Sequence, residues 1–316
     1  MIIRILLFFF FFHKCSIALA QLGCAGINLG QDTTIDCSQQ CITLKSSVLD
    51  VGLTSNYNIT SIPFNPPFSF NQGSPIFVNQ DDYFSPAIQL PFVFCFYGNN
   101  YNQIVVGANG LISFDISLAN AFCEWNFSQS MPNINGEPYR NSINGPYHDL
   151  DPSVGGNVRY GVLGTYPCRT FVVNFDDVPH YDCNNLRTTF QIVLYETTNI
   201  IEIYVLDKPV CNSWNSGNAV LGIQNSSGTI AHVPNNRNTS NWSTSNEAWQ
   251  FIPSGGSSIN SVQWFDSSGT YISSSDSIVV CPTDSTQYSA TVTYSSCSGN
   301  LVVESDTINI NVLSSG

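Results

Sequence analysis

Leu90–Asp115 reads LPFVFCFYGNNYNQIVVGANGLISFD, and its turn residues decide the fold class. Phe92–Tyr97 and Ile104–Val106 are runs rich in β-branched and aromatic residues, separated by the turn signal Gly98-Asn99-Asn100. A second signal, Gly107-Ala108-Asn109-Gly110, leads into Leu111–Phe114. Glycine and asparagine accept positive φ where a chain reverses, and branched or aromatic side chains suit a pleated surface. The stretch therefore predicts a three-strand antiparallel meander.

The same grammar extends outward. Phe171–Phe175 is a short strand, and Asn157–Val162 is a strand candidate. Thr188–Glu196 and Ile200–Leu206 flank Thr197-Thr198-Asn199, the clearest hairpin in the chain. Ala219–Gln224 and Thr229–Val233 flank Asn225–Gly228 as a second hairpin. Ile62–Phe70 carries Pro63, Pro66 and Pro67 and is excluded from a central strand, because proline lacks the ladder donor. Helical periodicity is missing, so the fold class is all-β, a sandwich or barrel.

Residues 1–20 stand apart. Arg4, the apolar run Ile5–Phe12 and Ala18-Leu19-Ala20 before Gln21 read as a signal peptide, too short to span a bilayer. No later stretch is apolar enough to be a transmembrane segment. Without Arg4 and Lys14, seven basic residues face 22 acidic ones, a charge near −15. Such a surface repels nucleic acid and anionic lipid. Losing Cys15 turns 11 cysteines into ten, an even number that in an exported chain reads as a disulfide framework. Cys183 and Cys211 bracket the clear hairpin and are expected to close it. Cys281–Cys297 is the second expected pair, and Cys95 and Cys123 are further candidates.

The expected domains are 21–253, a cysteine-rich entry segment (Cys24, Cys37, Cys41) running into a β domain; 254–258, a Gly/Ser linker; and 259–316, a small sandwich. The last contains Trp264 with Cys281 and Cys297, which suggests an immunoglobulin-like core.

Signs of catalysis are thin. Three histidines remain after the signal (His148, His180, His232), and no HExxH, GxSxG or glycine-rich phosphate loop occurs. The best local constellation is His148-Asp149-Leu150-Asp151. Asp149 and Asp151 are the candidate ligands of a Ca²⁺ ion, the one cofactor considered. The alternative, favoured here, has both carboxylates bonding local backbone and pinning the loop. Trp125, Trp214 and Trp242 lie in loop-like contexts and are candidate ligand-binding residues, whereas Trp249, before Gln250-Phe251-Ile252, reads as core.

Phe96-Tyr97-Gly98, Tyr101, Asn109-Gly110 and Ile112-Ser113-Phe114 resemble the opening of the nidogen-like extracellular domain. His148–Asp151, Asn157–Tyr160 and Thr189–Leu194 follow in that domain's order. The chain is also similar to the amino-terminal region of large surface proteins of gliding, Bacteroidota-type bacteria that end in a type IX secretion (type B) sorting domain. That likeness runs through Asp81-Asp82, Leu90-Pro91-Phe92, Cys95, Asn144–Asp149, Pro167-Cys168-Arg169, Cys211, Trp214-Asn215 and Arg237–Trp249. No sorting domain is visible before Gly316, so further domains of a longer chain are one expectation. The resemblance implies a nidogen-like disulfide-bonded β-sandwich followed by an immunoglobulin-like one. It also implies a secreted or cell-surface module of adhesin type, without a catalytic residue to carry over. The expected partner is an extracellular protein or polysaccharide. A carbohydrate-binding module of a degradative system is the first alternative and an exported hydrolase the second.

Overall fold

The computed structural model describes residues 24–36, 41–49, 51–76, 80–136, 138–295, 297, 299 and 301–313. The signal-peptide reading, Cys15 and Cys37 lie outside them. The described chain is β throughout, with two short 3₁₀ turns and no α-helix. None of its helices is long and apolar enough to cross a membrane.

The meander forms as Ile88–Phe96, Asn99–Gly107 and Leu111–Ser113. Phe96 faces Asn99 across the first reversal, so the turn is Tyr97-Gly98, at φ of 45° and 78°. That is one residue earlier than the Gly98-Asn99-Asn100 signal suggests. With both central residues at positive φ, the turn's twist matches that of the flanking strands.

Two antiparallel sheets make the main sandwich. One runs Ala231–His232, Asn218–Gln224, Ser142–Tyr147, then the three meander strands in reverse. The other runs Tyr57–Ser61, Thr244–Pro253, Ile201–Lys208, Cys183–Tyr195, Thr170–His180, Asn157–Leu163 and Ser74–Pro75. Phe94, Phe96, Ile112 and Ile143 of the first meet Phe171, Val173, Phe175, Phe190, Ile192 and Ile203 of the second. Ser142–Tyr147, which carries no strong strand signal, is wholly buried between its neighbours. Gly145 is required there, because a Cβ would collide with the Phe190 ring.

The second sheet is apolar on both faces. Val172, Val193, Tyr195, Tyr204 and Ala248 point away from the main core and pack with Trp264, Val262, Ala290 and Val292 of a smaller unit. This explains why residues 190–195 are all buried and read as a continuous apolar run.

That smaller unit is not confined to 259–316. Its main sheet orders Leu301–Leu313, Thr286–Ser295, Ile259–Phe265 and Tyr271–Ser273, and Thr33–Asp36 joins the outer side of Leu301–Leu313 in parallel. Ser277–Val280 pairs with Ile42–Lys45. The entry segment therefore belongs by pairing to the carboxy-terminal unit, not to the main sandwich. Its four-residue strands gain partners only from the other end of the chain. Residues 254–258 are not a loose linker either. The amides of Ser254, Gly255 and Ser258 donate to the carbonyls of Asn56, Leu53 and Val51, and those of Gly52 and Leu53 to Pro253 and Gly256.

The disulfides follow this topology. Cys183 joins Cys211, Cys24 joins Cys168, Cys41 joins Cys281 and Cys95 joins Cys297. The expected Cys281–Cys297 pair is thus corrected: each cysteine faces a different neighbour, in the entry segment or the meander. Cys123, a disulfide candidate from the sequence, is a free and fully buried thiol.

Candidate functional site

The loops at one end of the main sandwich converge on Asn109. This residue, fully buried in the second meander turn, is bonded on every side. Its carbonyl accepts the amide of His148, and its Oδ1 accepts that of Leu150. Its Nδ2 donates to Asp82 Oδ1 at 2.8 Å and to the Cys123 carbonyl at 3.0 Å. One asparagine therefore locks together the HDLD loop (148–151), the Asp81-Asp82 turn and the segment at Cys123.

This locking brings three carboxylates together. One oxygen from each of Asp81, Asp82 and Asp149 lies within 4.8 Å of the others. Asp81 and Asp82 are half-buried, and Asp149 is 5% exposed. Asp149 Oδ2 accepts the indole N–H of Trp214 at 2.6 Å, while Oδ1 is buried without a hydrogen-bond partner. Burial, then the neighbouring carboxylates Asp82 and Asp151, pushes Asp81 up to about 7. Burial also pushes Asp149 to about 7, against the Trp214 hydrogen bond and reinforced by Asp82, Asp81 and Asp151. Asp82 rises too, mainly by burial. None of the three forms an ion pair: the salt bridges among the described residues are Arg169–Glu196, Arg187–Asp177 and Arg237–Glu247.

The candidate pair Asp149 and Asp151 does not hold together as a ligand set. Asp151 Oδ1 turns away to accept the amide and hydroxyl of Ser153, at 2.9 and 2.5 Å, the local backbone role weighed from the sequence. Asp149's partners come instead from Asp81-Asp82, which the sequence singled out only as part of the family likeness.

Three aromatic rings stand beside the carboxylates. Trp214 lies 5.1 Å from Trp125 and 4.8 Å from Tyr181, centroid to centroid. The rings come from three separate loops. The Cys183–Cys211 disulfide ties the Trp214 loop to the Tyr181 turn, and Asn215 Nδ2 donates to the Trp125 carbonyl at 3.1 Å. Both tryptophans are half-buried and Tyr181 is exposed. Trp242 is not with them. It is 7% exposed, its N–H donates to the Ala219 carbonyl, and its ring is flanked by Lys208 and Arg237, at 4.6 and 4.8 Å. It is a core residue and is withdrawn as a ligand contact.

The NIDO-related family model matches residues 56–262, more than half of the chain. The chain belongs to the NIDO-related family. No curated protein matches it. Asn109, the three carboxylates and the three rings all lie within the NIDO-related region, which begins beside the first strand of the main sandwich and ends inside Ile259–Phe265.

Beneath the rings of the NIDO-related sandwich sits a buried polar cluster that the sequence did not announce. His148 and His180 lie 4.3 Å apart, centroid to centroid, and share Thr188, whose Oγ1 is 3.3 and 2.7 Å from their Nε2 atoms. Burial holds both imidazoles neutral: His148 titrates well below its usual range and His180 falls to about 3. Lys208, 1% exposed, donates to the Trp242 carbonyl at 2.7 Å, and burial lowers it to about 7. The adjoining cavity is about 20 Å³, room for one water. The signal that could have found this cluster is Lys208, one of few lysines, at the very end of the strand Ile201–Lys208.

Proposed function

We propose that the chain is an exported, non-catalytic binding module that recognises an extracellular protein or polysaccharide through the pole carrying Trp125, Trp214 and Tyr181. The observation that carries this reading is the row of three rings supplied by separate loops and held there by a disulfide and a side-chain–backbone hydrogen bond. Large rings anchored on a rigid scaffold give contact area at small entropic cost. Four disulfides suit an oxidising compartment, so the proposed location is secreted or cell-surface, and the resemblance extends the proposal to type IX export. The absence of catalysis is argued from burial: His148, His180 and Thr188 lie below the surface, where substrate does not reach a nucleophile.

A second reading, carbohydrate binding, is favoured by the same ring row beside carboxylates, since sugar rings stack on aromatic faces while hydroxyls bond acceptors. Probing the purified chain on a glycan array and on immobilised matrix proteins distinguishes a saccharide ligand from a protein one. Whichever ligand binds, Trp125→Ala and Tyr181→Ala should each weaken it roughly tenfold or more with an unchanged melting temperature. Binding that persists undiminished in both variants would refute the assignment of the pole.

A further inference from the structure

We propose that Asp81, Asp82 and Asp149 form a Ca²⁺ site at the loop pole. The donor set is all oxygen, with one carboxylate oxygen from each residue inside 4.8 Å of the others. Hard divalent cations take such sets, whereas zinc and copper favour nitrogen and sulfur. Proximity of acids would not suffice by itself. The second observation is Asp149, whose side chain is buried and whose Oδ1 meets no donor. A buried carboxylate oxygen without a partner loses its hydration uncompensated. A cation held jointly with Asp81 and Asp82 supplies the missing interaction.

The surroundings favour the same occupant. The cluster contains no ion pair, and Asp151 adds negative charge to all three acids, Glu124 to Asp82. Asn109 fixes the geometry from one side by holding Asp82 Oδ1, and Trp214 fixes it from the other by holding Asp149 Oδ2. Two of the ligands are half-exposed, leaving coordination positions for water. Three carboxylates exceed the one or two that Mg²⁺ usually takes, and oxygens spread over up to 4.8 Å suit the longer bonds and flexible geometry of Ca²⁺ better than the tight octahedron of Mg²⁺. Extracellular Ca²⁺ modules bind in the range of about 10⁻⁴–10⁻³ M, within reach of such a set. This inference does not rest on the aromatic row being a ligand surface.

The test uses the purified full chain stripped with EGTA. CaCl₂ is titrated at fixed ionic strength while the melting temperature is followed. In parallel, Tb³⁺ is added and its emission read on indole excitation, because Trp214 touches the proposed ligand Asp149. The expected result is a saturable rise in melting temperature and a Tb³⁺ signal that Ca²⁺ displaces. Asp81→Asn and Asp82→Asn should each reduce Ca²⁺ affinity roughly tenfold with circular dichroism unchanged. Asn suits position 82, where φ is 48°, and its amide oxygen can still accept from Asn109. No melting shift and no saturable emission up to about 5 mM, well above the expected range, from a folded parent overturns the site. An equal response in both variants also overturns it. A response to Mg²⁺ as strong as to Ca²⁺ overturns the assignment of the ion.

Discussion

Replacing Cys41 and Cys281 together by serine should destabilise the protein by about 4 kcal/mol. Both cysteines are solvent-exposed, so serine leaves no cavity and buries no hydroxyl. The effect therefore isolates the cross-link. Its size follows from the ring it closes in the unfolded chain. Taken alone, the bond spans 240 residues, but Cys95–Cys297 already ties the same regions. The shortest closed path runs 54 residues from Cys41 to Cys95 and 16 from Cys297 to Cys281, a ring of about 70. Loop-closure entropy for such a ring is on the order of 15 cal/mol/K, or about 4.4 kcal/mol at 25 °C. Urea unfolding of parent and double variant, with the midpoint shift multiplied by the m-value, measures it. A loss under about 1 kcal/mol would refute the claim that this bond holds the entry segment to the carboxy-terminal unit. So would a disulfide map joining Cys281 to Cys297.

Cys123 should resist alkylation in the native protein and react once the unreduced chain is unfolded, because burial first, then the nearby carboxylates Asp82 and Glu124, raises its thiol pKa. Peptide mapping that finds Cys123 in a disulfide would contradict this. Lys208 carries a pH dependence: its pKa falls from an ordinary 10.5 to about 7 on folding, chiefly by burial and next by the charge of Arg237. Between those values the unfolded chain holds the proton that the native one releases, so stability is greatest above the unfolded pKa and is lost as pH falls toward 7. The melting temperature of the parent should therefore rise from pH 7 to about 9.5 relative to Lys208→Met, and parallel curves would disprove the shift.

Local chemistry was readable and long-range pairing was not. The meander and the 188–206 hairpin could be located because turn residues and β-branched runs act within a few positions. Even there the first turn moved to Tyr97-Gly98, since strand twist decides which two residues reverse. Thr33–Asp36 and Ile42–Lys45 were missed as strands: four-residue, partly polar segments carry little pattern of their own. Asp149 was recognised, but its companions Asp81 and Asp82 arrive through Asn109, a contact across 27 residues that no spacing encodes. Trp242 and Trp214 look alike in sequence and differ only in whether the fold turns them toward a buried lysine or toward the loop pole.

The disulfide connectivity has a consequence for how the chain must mature. Asp32 and Asn309 meet although they are 277 residues apart, so the first strands to emerge during synthesis wait longest for a partner. Of the four bonds among the described residues, Cys183–Cys211 alone joins neighbouring cysteines; the other three skip over intervening ones. An oxidant that couples thiols in the order they appear would trap the wrong partners. Correct pairing therefore requires either that oxidation waits until the whole chain has folded, or that thiol–disulfide exchange undoes the pairs formed before it.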